Sequence, residues 1–227
     1  MSDDKQRILL SWSSGKDSAW SLHVLRQRAE VEVVGLLTTF NKLEDRVAMH
    51  AVRRQLAELQ AQATGLPLIP VELPWPCPND TYESAMQCAL QRAVKELDIQ
   101  AVAFGDLFLA DIRSYREKQM SAWHLEPLFP IWNMPTVELS REMVDSGLKA
   151  ILTCVDPNQC SRDFVGRQYD LALLDQLPDH VDPCGENGEF HTFVFDGPMF
   201  DAPIDVIGGK IVERDGFVFA DLAPASD

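Results

Sequence analysis

The chain has 227 residues, of which 46 % are hydrophobic and 24 % charged, with a formal charge of −15. That balance is globular and long enough for one sizeable domain, or one domain with a smaller appendage. The charge argues against a nucleic-acid partner, and no window approaches the ~20 apolar residues of a membrane span.

The polar start, Met1 to Arg7, predicts no signal peptide. Cys77, Cys88, Cys154, Cys160 and Cys184 form no CxxC pair, which points to reduced thiols and a cytoplasmic location. A zinc set of Cys154, Cys160, Cys184 and His191 lacks the paired spacing of structural sites.

Strand and helix patterns alternate through the first half. Arg7 to Trp12 reads as a strand, Asp17 to Ala29 as a helix, and Val31 to Thr39 as a buried strand. Met49 to Ala63 reads as a helix stopped by Gly65 and Pro67, and Leu68 to Leu73 as a third strand. After a proline-rich loop around Trp75, a helix capped by Asn79 or Asp80 carries an apolar stripe from Tyr82 to Leu97. Ala101 to Phe104 is a fourth strand, Ile112 to His124 a helix, and Leu128-Phe129 a fifth strand. The order implies an α/β fold: a parallel sheet with helices on both faces, whose ligands bind at the carboxyl ends of the strands. Ser13–Ser18, Thr38–Asn41 and Gly105–Asp111 fall at such ends.

Beyond Asn133 the texture changes. Thr136 to Ser146 reads as a helix capped by Gly147, and Ala150 to Val155 as a strand. Gly208-Gly209 and Asp215-Gly216 read as two hairpin turns. The expected division is a nucleotide-binding domain over 1–132 and a smaller α+β, substrate-binding domain over 133–227.

Ser13-Ser14-Gly15-Lys16-Asp17-Ser18 joins the first strand to the first helix. It is not a Walker A loop, because Asp17 follows Lys16 and Leu10 stands five residues before Gly15. Helix N-terminal amides and the hydroxyls of Ser13, Ser14 and Ser18 can still encircle an anion. Lys16 adds positive charge, and Asp17 is a candidate Mg²⁺ ligand or cap. A serine-rich helix cap without a ligand is the plainer alternative. The second constellation is Gly185-Glu186-Asn187-Gly188-Glu189-Phe190-His191-Thr192, a permissive turn leading into a strand. Its carboxylates and imidazole suit proton transfer or the binding of an amine, and a solvated polar hairpin is the alternative.

Together these segments resemble the diphthine–ammonia ligase family, whose loop reads Ser-Gly-Gly-Lys-Asp-Ser and whose later motif reads Gly-Glu-Gly-Gly-Glu-[Phe/Tyr]-Glu-Thr. The resemblance covers most of the chain and includes Gly65-Leu66-Pro67-Leu68, Gly105-Asp106 and Leu128-Phe129-Pro130-Ile131-Trp132. It implies an ATP-pyrophosphatase (PP-loop) domain of the HUP type, the adenine nucleotide α-hydrolase class, joined to a substrate domain. ATP and Mg²⁺ would be used to adenylate a carboxylate, releasing pyrophosphate, before ammonia displaces AMP. Lys16, Asp17, Glu186, Glu189 and His191 would be catalytic, and Glu186, Asn187, Gly188 and Glu189 would contact the substrate. Ser13, Ser14, Gly15, Lys16, Asp17, Ser18, Thr38, Met49, His50, Gly105, Asp106 and Arg116 would surround the nucleotide. The acceptor could be a modified protein side chain, and a homodimer remains open. Ser14, Asn187 and His191 stand where the family has glycine, glycine and glutamate, so a different carboxylate fits the sequence equally well. A non-catalytic nucleotide-binding HUP module, or a PP-loop enzyme acting on RNA, are the other readings.

Overall fold

In the computed structural model, which describes residues 5–47 and 51–225, the first half runs β1 (Gln6–Ser11), α1 (Lys16–Arg26), β2 (Val31–Asn41), β3 (Arg46–Val47), α2 (Arg54–Thr64), β4 (Leu68–Leu73), α3 (Asn79–Leu97), β5 (Ala101–Ala103), α4 (Ala110–Ala122) and β6 (Glu126–Leu128). Strands β4, β2, β1, β5 and β6 lie side by side in that order, all parallel. Only the two-residue β3 is antiparallel, pairing with Phe40 and Asn41 of β2 beyond the point where β1 stops.

The alternation of β1 shows why both faces are covered. Ile8 and Leu10 pack with Ala19, Leu22 and Leu25 of α1, while Leu9 packs with Met86 and Leu90 of α3 and Met120 of α4. Successive side chains of a strand point to opposite faces, so an unbroken apolar run requires helices on both. All three residues are fully buried. The expected parallel sheet with helices on both faces is therefore present.

The second half contains α5 (Thr136–Asp145), β7 (Lys149–Val155), β8 (Gln168–Tyr169), α6 (Leu171–Leu174), β9 (Phe190–Asp196), β10 (Val206–Arg214) and β11 (Phe217–Pro224). Its five strands form an antiparallel sheet, with β9 along one edge of β7, β11 and β8 sharing the other, and β10 outside β11. One hydrophobic cluster runs from Ile8 and Leu22 in the first half to Leu139, Leu152 and Val218 in the second. The two sheets share a core.

Several local expectations are corrected. Helix α2 starts at Arg54 rather than Met49, and Met49 and His50 lie outside the described residues. Pro78 precedes α3 as its cap residue, so Asn79 and Asp80 are inside the helix, where the Asn79 amide donates to Glu83 at 2.9 Å. Gly208-Gly209 is no turn: β10 runs through it, with a register shift against β11 between Gly208 and Ile211. Glycines without side chains to pack commonly mark such a bulge. The hairpin turns at Asp215-Gly216, both with positive φ (52° and 84°), as a tight two-residue turn requires.

Candidate functional site

Ser14 has φ 71°, in the left-handed region, and its fully buried hydroxyl has no hydrogen-bond partner. For a residue with a Cβ that conformation costs on the order of 1 kcal/mol, so the loop is held from outside. The Ser14 carbonyl accepts from the Val194 amide of β9 (3.1 Å) and from the Gln60 side chain of α2 (3.0 Å). Gln60 also donates to the Val194 carbonyl (2.6 Å) and accepts from the Trp12 indole (2.9 Å). Within the loop, the Ser13 hydroxyl lies 3.2 Å from that of Ser18 and accepts from the Gly15 amide at 3.3 Å. Helix α1 has Gly15 at its N-cap, with no side chain to cap it. The missing acceptor comes from β9, where Thr192 Oγ1 takes the Lys16 amide at 3.1 Å.

The sequence pattern places Lys16 in the loop before the first helix. Instead Lys16 is the first residue of α1 and only 2 % exposed. Its ammonium donates to both Asp17 carboxylate oxygens (3.0 and 2.9 Å) and to the Cys184 carbonyl, and lies 5.5 Å from the Phe190 ring centroid. Burial pushes this ammonium down, but Asp17 and its other neighbours outweigh burial and hold it above its ordinary value. Burial lifts the Asp17 carboxyl against the pull of Lys16.

The Asp182–Thr192 segment folds back onto this helix start. Gly185 has φ 68°, and a Cβ there would stand 2.8 Å from the Phe190 carbonyl oxygen, so only glycine fits. Glu189 is expected to face a substrate, but it is 2 % exposed and its carboxylate is spent inside the turn. It accepts from the amides of Asp182 (2.9 Å) and Asn187 (2.9 Å) and from the Asn187 side chain (3.0 Å). Glu186 does face the site. One oxygen accepts from the Leu107 amide at 2.7 Å, and burial lifts its carboxyl to about 7. His191 opens onto the same space, and burial lowers its imidazole to about 4, leaving it neutral at physiological pH.

A cavity of about 270 Å³ lies between these segments, lined by Ser13, Lys16, Asp17, Ser18, Gly185 and Glu186, with Gly105, Asp106, Arg116, Gly188, His191 and Thr192 completing it. Gly105 lets the loop after β5 approach closely, since a Cβ there would meet the Asp17 carbonyl carbon at 3.0 Å. Asp106 and Arg116 face each other at 3.9 Å, yet Asp106 Oδ2 and Arg116 Nε have no hydrogen-bond partner. Burial raises the Asp106 carboxyl despite Arg116. A larger cavity of about 760 Å³ shares Ser13, Arg116, Gly188 and His191 with the first and is lined by Trp75, Tyr82, Met86, Phe217 and Phe219. Thr38 does not reach either cavity; its buried hydroxyl donates to the Trp12 carbonyl at 2.9 Å. Among the described residues, no group of three or more His, Cys, Asp or Glu side chains could hold a metal ion.

The sequence pattern assigns no role to Gln60 or Thr192. Gln60 stands among Leu56, Ala57 and Ala61 on the buried face of α2, and an amide at a core position is the signal that would have flagged it. Thr192 closes the second motif, but its use as a helix cap depends on a contact spanning 176 positions.

The Diphthamide synthase N-terminal domain family matches residues 6–122, and the Diphthamide synthase C-terminal domain family matches residues 135–221. A diphthine–ammonia ligase of Mus musculus is 28 % identical, covering 96 % of this chain and 89 % of that protein. The Homo sapiens diphthine–ammonia ligase is 26 % identical over the same shares. Among solved structures, the U34-tRNA thiolase NcsA from Methanococcus maripaludis overlaps 57 % of this chain and 52 % of its own, at 15 % identity and a TM-score of 0.37.

Proposed function

The chain belongs to the diphthamide synthase family, and on that premise we propose that it is an ATP-dependent ligase that converts a carboxylate into an amide with ammonia. The observation that carries the reading is the shared cavity: the Ser13–Ser18 loop and the Gly185–Thr192 turn wall one space at the N-terminus of α1. Beyond its bond to the Leu107 amide, Glu186 brings to that space a carboxyl lifted by burial, which suits proton transfer more than the binding of a nucleotide.

In this reading the phosphates lie against the α1 N-terminus, where aligned amides and the loop hydroxyls favour negative charge. Arg116 adds a cation within reach of both cavities. Mg²⁺ would be held by Asp17 and by Asp106, whose Oδ2 has no hydrogen-bond partner, in keeping with an ion that takes one or two carboxylates. Bound there, it would supply positive charge to neutralise a pyrophosphate leaving group. The larger cavity, lined by Trp75, Tyr82, Phe217 and Phe219, suits the adenosine and the acceptor.

The acceptor carboxylate attacks the α-phosphorus and pyrophosphate leaves. Ammonia then attacks the acyl carbon and AMP leaves with the second bond broken. Orientation and charge stabilisation account for most of such a rate gain. Glu186, poised near neutrality, takes the proton that ammonium must lose before it can attack. Glu189 and Asn187 hold the turn that presents Glu186, and the neutral His191 supplies a hydrogen-bonding group without added charge. A cytoplasmic setting fits the five free cysteines.

The test is product analysis after incubation with ATP, Mg²⁺, ammonium and a panel of carboxylates. AMP and pyrophosphate, formed in step with an amide, are expected. ADP and orthophosphate as the only products would overturn the reading.

A further inference from the structure

We infer that Gln60 and Thr192 are positioning residues that hold the Ser13–Lys16 loop in its anion-receiving shape, so that ATP affinity depends on contacts made from α2 and β9. The inference rests on the nucleotide reading above.

The loop's own hydrogen bonds, among Ser13, Gly15 and Ser18, do not reach Ser14 or the Lys16 amide. Its helix begins on a glycine with no side-chain cap, and Ser14 stands at positive φ with a hydroxyl that bonds to nothing. What fixes it comes from elsewhere in the chain. Gln60 is fully buried, and its amide makes three hydrogen bonds to three different partners: the Trp12 indole, the Ser14 carbonyl and the Val194 carbonyl. Two of those partners flank Ser13, and the third is the β9 residue whose own amide also bonds Ser14. A leucine would pack equally well beside Leu56 and Ala57, and burying an amide is costly unless every such bond is made. The loop is what the amide serves.

Thr192 completes the hold. Its hydroxyl accepts the first helical amide, Lys16 N–H, and stops that amide from turning away from the axis. Ser14 and Lys16 are thus pinned on either side of Gly15, from one strand. In this geometry the remaining amides of the first turn aim along the helix axis, as anion binding requires.

The test compares Thr192→Val with Thr192→Ser, and Gln60→Met with wild type, in the full-length protein. Binding of Mg-ATP is measured by calorimetry on samples whose thermal unfolding shows them folded. Thr192→Val and Gln60→Met are expected to weaken ATP at least about tenfold, while Thr192→Ser, which keeps the hydroxyl, stays within about threefold of wild type. The double variant should lose less than the product of the two, because both act through one loop. Should Gln60→Met fail to fold, the Thr192 pair decides.

Hydrogen exchange of the Gly15 and Lys16 amides in ATP-free protein separates this proposal from the nucleotide reading. Faster exchange in Thr192→Val but not in Thr192→Ser is expected, even if wild type were found to bind no ATP. Unchanged exchange in Thr192→Val, or unchanged ATP affinity in a wild type that does bind ATP, would overturn the positioning role.

Discussion

Individual side chains at this site work against ordinary preferences. Ser14 bears the strain of positive φ and buries an unpartnered hydroxyl, so Ser14→Gly should stabilise the protein by about 1 kcal/mol, after allowing for the greater chain entropy of glycine. A melting temperature raised by roughly 2–4 °C would register it. Lys16→Ala should do the reverse. It strands Asp17, whose side chain is 26 % exposed beside the cavity, so the loss should fall below the ~3–5 kcal/mol of a fully buried pair, measurable by urea unfolding. Two groups set opposing pH trends. Between about pH 4 and 6.5 the unfolded chain protonates His191 while the folded chain does not, so stability is lost as pH falls through that window. Between about pH 4.5 and 7 the folded chain keeps a proton on Glu186 that the unfolded chain releases, so stability is lost as pH rises. The two slopes oppose each other where the windows overlap, so His191→Asn should leave a urea midpoint that falls as pH rises from about 4.5 to 7, and Glu186→Gln one that rises from about pH 4 to 6.5. If Glu186 acts as the base, kcat/KM should rise through about pH 7 in wild type and lose that step in the Gln variant.

The elements divide into those whose own residues decide them and those that depend on distant partners. β4 falls at Leu68–Leu73 as its pattern predicts, because alternating burial and bounding prolines are local features. The doubled glycine at 208–209 misleads for a physical reason: lack of a side chain permits a turn and a bulge alike, and pairing with β11 decides between them. At the site, the loop and turn were legible through glycine, serine and charge patterns. The inward fate of Glu189 and the burial of Lys16 were not, because both follow from one segment folding onto another. Gly105 shows the same dependence at an element junction. Gly105→Ala would drive a methyl into the Asp17 backbone, pushing the loop after β5 off the start of α1. Loss of roughly tenfold or more in ATP affinity, with the parallel sheet intact by circular dichroism, is the expected outcome.

At the scale of the whole molecule, the sequence divides in texture near residue 132, but the core does not divide there. Leu139, Leu152 and Val218 belong to the same apolar cluster as Ile8 and Leu22, and β9 supplies the hydrogen bonds that shape the first loop. A fragment ending at residue 132 should therefore expose that apolar surface and bind no ATP, tested by dye binding and calorimetry on the purified fragment. The Thr192 bond to Lys16 spans 176 positions, and its consequence lies in the order of events during synthesis. The Ser13–Ser18 loop leaves the ribosome well before β9, the strand that shapes it. A nascent chain that has not reached β9 thus carries the serine-rich motif without the contacts that shape it. On the proposed function, nucleotide binding would begin only once β9 has been made, and chains released before it would be silent rather than wastefully active.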